Sequence, residues 1–193
     1  MNIYDAVHAE HERIKILLGE LRDTSERWSS ERISLLHQLK RALLPFTRAE
    51  QLVLYDQLKL CGPESVVDAA FEAHAEQTLI ERLVADLEHC DPTNRRWSAM
   101  MKLLDGAVRR QFDNEEASLF AAARGVFRDE DAEAMAVDFS VLKSQYEQEF
   151  SAYPAARAGH DVSAMPPAPT ALGKTTLADY RHDVWLCSRL QPA

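Results

Sequence analysis

Four ionisable side chains fall inside helical stripes that ought to be apolar. The stripe Trp97, Met101, Leu104, Val108, Gln111, Glu115, Ser118, Ala122 alternates steps of four and three residues, the seam of a bundled helix, with Glu115 near its middle. Tyr4, Val7, His11, Ile14, Leu18 and Leu21 form a second seam holding His11. Leu36, Leu39, Leu43, Phe46, Glu50, Val53, Gln57 and Leu60 form a third, holding Glu50. A fourth, Val67, Phe71, His74, Thr78, is less clean, because Ile80, Leu83 and Leu87 run along a neighbouring stripe. A buried carboxylate costs several kcal/mol unless it is paired or metal-bound. Two imidazoles and two carboxylates make a sufficient donor set for Fe(II), Mn(II) or Zn(II). They also suffice for two His–Glu pairs closed on themselves without metal. Glu10, Glu72, Glu76, Glu81 and Glu116 lie near enough in sequence to add ligands, and His8 reads as a surface residue.

The elements that must carry these residues are helices. Only 6 Gly and 8 Pro occur in 193 residues, most of them at segment ends, which leaves long unbroken helical runs. Helix 1 is expected from about 3 to 22. Helix 2 should run from about 31 to 60, capped by Ser30 and interrupted at Pro45, where a missing N–H costs roughly 3 kcal/mol or kinks the helix. Cys61-Gly62-Pro63 ends it and starts helix 3, from about 66 to 89. Asp91-Pro92 opens helix 4, which Gly125 closes. Short connections make neighbours antiparallel. The expected fold is therefore all-α, an up-down-up-down four-helix bundle. An additional helix follows at about 130–150, and then an extended tail. Residues 1–150 make one domain. Residues 151–193 read as a Pro/Ala-rich linker ending in a short helical segment around Leu177, Tyr180, Val184, Trp185 and Leu190.

Composition narrows the function. The net charge is −9 with no basic stripe, so nucleic acid is not expected as a partner. No apolar run is long enough to span a bilayer and no secretory signal opens the chain, so no membrane partner is expected and the location is read as cytoplasmic. Cys61, Cys90 and Cys187 form no CxxC site or disulfide framework and read as idle thiols. Nucleophile–base motifs, a phosphate loop and a dinucleotide fingerprint are absent.

The wording around the four residues resembles a known family. Ala-Glu-His-Glu-Arg-Ile around His11, Glu-Gln-Leu-Val-Leu-Tyr around Glu50, Glu-Ala-His-Ala-Glu around His74 and Asn-Glu-Glu-Ala-Ser-Leu-Phe around Glu115 are similar to the motifs of hemerythrin-like HHE cation-binding domains, over roughly residues 3–150. The resemblance implies a bundle with two non-haem irons, bridged by the carboxylates and terminated by the imidazoles. His11, Glu50, His74 and Glu115 match as metal ligands. Phe46 and Gln111 stand where the family pattern has histidine four residues before each glutamate, so each iron would lose a terminal imidazole.

The reading that follows is a hemerythrin-like cation-binding protein with an altered, ligand-poor non-haem metal centre. It would bind or sense a metal, dioxygen or a related small molecule, with iron as the implied cofactor and manganese, zinc or no metal as alternatives. A metal-free structural or regulatory interaction module is the first alternative, with a protein partner or self-association through the C-terminal segment. A non-haem metal oxidase or peroxidase is the second. Nothing in the residues names a substrate.

Overall fold

The computed structural model describes residues 1–24 and 29–152. Helix α1, Ile3–Asp23, starts at a capping box in which the Asn2 side chain accepts from the Asp5 N–H at 3.0 Å and the Asp5 carboxylate accepts from the Asn2 N–H. Helix α2 is one continuous run of Ser29–Glu50, a π-helical turn over Gln51–Tyr55, and Asp56–Cys61. Helix α3 covers Glu64–Glu88. Helix α4 repeats the plan of α2, with Arg95–Asn114, a π-helical turn over Glu115–Leu119, and Phe120–Arg124. Helix α5 covers Asp129–Ala152. No strand occurs among the described residues.

Side-chain ladders fix the directions. Arg32 donates to the Pro92 carbonyl, Lys40 meets Glu88, Thr47 donates to Glu81 and Gln77 donates to Glu50, so α2 and α3 run antiparallel. Arg22 with Asp105, Lys15 with Asp113 and His11 with Glu116 make the same statement for α1 and α4. Helix α5 packs on this frame, with Phe139 against Phe46 and Lys143 on Glu10. The all-α bundle with an additional helix is thus the observed fold. The seams bury Ile14, Leu18 and Leu21, Leu39 and Leu43, Ile80 and Val84, and Leu104 and Val108, each almost wholly. At roughly 1.5–3 kcal/mol per fully buried side chain, this apolar core is what can carry a polar site at its centre.

Several local expectations change. Pro45 does not interrupt α2. The helix passes through it, and Pro45 is buried, so burial offsets the lost hydrogen bond. Helix α4 starts three residues later than Asp91-Pro92 indicated. Asp91 accepts from Thr93 in a local turn, and Asn94 caps the helix by accepting from the Arg96 N–H at 2.9 Å. Cys90 is a free thiol but Cys61 is disulfide-bonded, so not all the thiols are idle. One compact unit spans Met1–Phe150. The linker and short helix read for 151–193 lie outside the described residues, apart from the end of α5. Among the described residues, no helix is long and apolar enough to cross a membrane.

Gly62, between α2 and α3, has no room for a side chain. A Cβ there would stand 2.6 Å from the Leu58 carbonyl oxygen and 3.2 Å from Val66. Gly62→Ala is expected to destabilise the protein by about 1–2 kcal/mol, lowering the melting temperature by roughly 2–8 °C. Thermal unfolding followed by circular dichroism tests this, and an unchanged melting point would show that the turn relaxes freely.

Candidate metal centre

Three helices each deliver one donor to the middle of the bundle. His11 of α1, Glu50 of α2 and Glu115 of α4 are at most 2% exposed. One ligand atom of each lies within 4.8 Å of the other two. His11 Nε2 is 3.2 Å from Glu115 Oε2 and 3.9 Å from Glu50 Oε1. None of these three atoms has a partner in hydrogen-bonding geometry; the closer pair has the distance of an ion pair but not the directionality of a hydrogen bond.

The surroundings explain why these atoms face one another. His11 Nδ1 is 2.8 Å from Glu116 Oε1. A carboxylate only accepts, so Nδ1 carries the hydrogen and, in the neutral ring, Nε2 presents its lone pair. The ring plane is set by Phe112, stacked at 3.7 Å, and by Phe46, edge-on at 5.4 Å. Phe46 therefore packs on the imidazole instead of supplying a second one. Glu116 also meets His8 Nδ1 at 3.0 Å and Lys15 at 3.8 Å. Burial opposes its ionisation, but the hydrogen bonds from His11 and His8, with the charges beside it, hold its carboxyl below the ordinary value.

The other oxygen of each glutamate is held by donors. Glu50 Oε2 accepts from Gln77 Nε2 at 3.1 Å and from the Tyr55 hydroxyl at 3.3 Å. Glu115 Oε1 accepts from Gln111 Nε2 at 2.8 Å and, in a very short contact, from the same hydroxyl. Tyr55 is wholly buried. It stands five residues after Glu50, more than one α-helical turn and off the glutamate's face. The π turn Gln51–Tyr55 inserts the extra residue that brings it back. In α4 the same device follows Glu115 and brings Phe120 to the matching place, 6.2 Å from His11.

His74, the fourth residue singled out in the sequence, does not join the cluster. It is half-buried on the flank of α3, with Nδ1 unpartnered. The buried line of α3 is Val66, Ala70, Ala73, Gln77, Ile80, Val84 and Leu87, and Gln77 is its member at the level of the site. That line was legible as the stripe beside His74: stepping back from Leu87 by three and four residues reaches Gln77. Tyr55 could have been found by setting Glu-Gln-Leu-Val-Leu-Tyr against Glu-Glu-Ala-Ser-Leu-Phe, which pairs Tyr55 with Phe120.

Taken together, one imidazole nitrogen and two carboxylate oxygens converge as lone-pair donors in a dry core. Burial, and next the charge of Glu115, push the Glu50 carboxyl well above its ordinary value, while the Tyr55 hydrogen bond pulls it the other way. Burial together with the charges of Glu50 and Glu115 raises the Tyr55 phenol well above its own. A divalent cation at the three converging atoms would neutralise both carboxylates, so the residues present fit one.

Comparison with known proteins agrees with this chemistry. The family described as Hemerythrin HHE cation binding domain matches residues 2–123, well over half of the chain. A protein named DNA nickase from Nostoc sp. (strain PCC 7120 / SAG 25.82 / UTEX 2576) is 26% identical over 148 residues. The match covers 77% of this chain but 41% of that protein, so the chain spans about two fifths of its relative's length. No solved structure matches significantly.

The raised Glu50 value has a defined consequence for stability. Unfolding lets Glu50 ionise at its ordinary value of 4.5, whereas the folded state keeps its proton to higher pH. Its contribution is therefore fully present below about pH 4.5 and is lost as pH rises through the folded-state value. In metal-free protein, Glu50→Gln should gain stability relative to wild type as pH is raised from 4.5 to 8. Urea melts in EDTA across that range measure it, and a difference that is flat with pH would contradict the assignment.

Proposed function

The chain belongs to the hemerythrin HHE cation-binding family, and on that footing we propose that it binds a divalent transition-metal ion at His11, Glu50 and Glu115. The observation that carries this reading is the meeting of three buried, unpartnered lone-pair atoms from three helices. A closed His–Glu network would bring these atoms into hydrogen-bonding geometry, which they do not have. One nitrogen and two carboxylate oxygens suit iron or manganese, with zinc as an alternative. Such an ion would supply a Lewis-acidic centre, redox-active if iron or manganese, with coordination positions open to a small molecule. The chain's own residues do the rest. Glu116 and Phe112 aim the imidazole, Gln77 and Gln111 aim the carboxylates, and the buried rings of Phe46 and Phe120 stand beside His11 and exclude water. Binding or sensing of metal, dioxygen or a related ligand is the role this arrangement supports best.

The relative's name raises a nucleic-acid reading, which we do not adopt. The shared part is less than half of that protein, and a net charge of −9 gives this chain little attraction for phosphates.

Metal added to metal-free protein at a hundredfold excess over Kd should stabilise it by about 2.7 kcal/mol. That corresponds to roughly 5–10 °C in melting temperature for a chain of this length. His11→Gln or Glu115→Gln should abolish the shift, whereas His74→Ala should leave it intact. The gain should also fade as pH falls, because protons compete with the ion for its ligands. Differential scanning fluorimetry with Fe(II), Mn(II), Zn(II) and EDTA tests the set. A melting temperature indifferent to every metal would leave the metal-free interaction module standing.

A further inference from the structure

The family pattern calls for two metals beneath a pair of bridging carboxylates, and the donor set here does not fit two. We propose that Tyr55, Gln77 and Gln111 form a hydrogen-bonding plug that occupies the second cation's place and makes this a single-cation site.

The two glutamates are oriented as bridges. Each turns one oxygen toward His11 Nε2 and the other toward the Tyr55 hydroxyl. The His11 end holds three lone-pair atoms and no hydrogen-bond donor aimed at them. The Tyr55 end is the reverse: one phenolic hydrogen is shared between Glu50 Oε2 and Glu115 Oε1, and one amide group serves each glutamate. Both amides present N–H rather than their ligating oxygen, the orientation that ionised carboxylates, which only accept, require. Gln111 Nε2 lies 3.3 Å from the Tyr55 oxygen as well, tying the plug into one unit. All three residues are at most 3% exposed. Their hydrogens meet the carboxylate oxygens that a second cation would need, so a metal could enter there only by breaking every one of these bonds.

The two departures from the family pattern are consequently not equivalent. Phe46 packs on His11, at the end left open to a cation. Gln111 belongs to the plugged end. Each position has lost one imidazole of the family pattern, but only at the Gln111 end do hydrogen-bond donors take the cation's place.

This inference rests on the cation-binding reading above, and stoichiometry separates the two. Metal-depleted protein is titrated with Mn(II), with bound metal counted by elemental analysis and electron paramagnetic resonance recorded at saturation. Wild type should saturate at one Mn(II) per chain with the six-line signal of an isolated ion. The variant Tyr55→Phe/Gln77→His/Gln111→His removes the shared hydrogen and supplies two imidazoles. It should take up twice as much Mn(II) and show the spectrum of an exchange-coupled pair. Gln111→His alone is the milder variant if circular dichroism shows that the triple one does not fold; it too should exceed one equivalent. Two equivalents in wild type would overturn the plug and leave the cation site standing. A folded variant that stays at one equivalent would also overturn the plug. No Mn(II) in any form, with a metal-indifferent melting temperature, would overturn both readings.

Discussion

Two carboxylates, Glu50 and Glu115, lie side by side in the driest part of the bundle, and the other polar choices around them follow from that. Charges so placed repel each other and have lost their water, a combination that destabilises a fold by several kcal/mol unless each oxygen is answered. Half of the oxygens are answered by the phenol of Tyr55 and the amides of Gln77 and Gln111. The other half face a single imidazole nitrogen. The site is therefore polarised, with hydrogen donors at one end and lone pairs at the other. The apolar seams above and below provide the burial energy that lets such a centre persist.

The π turns convert chain geometry into site geometry. A uniform α-helix after Glu50 would place Tyr55 off the glutamate's face. One extra residue per turn, used once in α2 and once in α4, rotates position +5 back toward the centre. The two halves of the bundle thus share a plan, a glutamate followed by an aromatic ring, and differ in that ring's chemistry. Phe120 lies near His11 and closes the site with hydrocarbon, while Tyr55 adds a hydroxyl between the carboxylates. A single oxygen atom separates the roles of two otherwise matching positions.

His11 shows how far the control of one ligand extends outward. Its Nδ1 is tied to Glu116, and Glu116 is tied in turn to the exposed His8 and to Lys15. The orientation of a wholly buried ring is set by a carboxylate that reaches the surface, and the stacked Phe112 prevents the ring from turning away.

Helix count, the all-α class, and the inward placement of His11, Glu50 and Glu115 were legible in the sequence, because a 3-and-4 spacing of apolar residues specifies which face of a helix is buried whatever it packs against. The recurring motif words carried the family. What only tertiary structure decided lay where that periodicity is ambiguous or locally broken. On α3 two adjacent stripes compete, and packing against α2 and α4 chose the one with Gln77 over the one with His74. Pro45 removes a hydrogen bond, yet burial within the bundle carries the helix through it. Tyr55 reaches the site through a π turn that breaks the very period on which a helical reading relies. Whether two carboxylates bridge toward one cation or two depends on which groups from other helices meet their far oxygens. Those contacts join residues 27 to 60 positions apart (Gln77 to Glu50, Tyr55 to Glu115), and no local pattern encodes them.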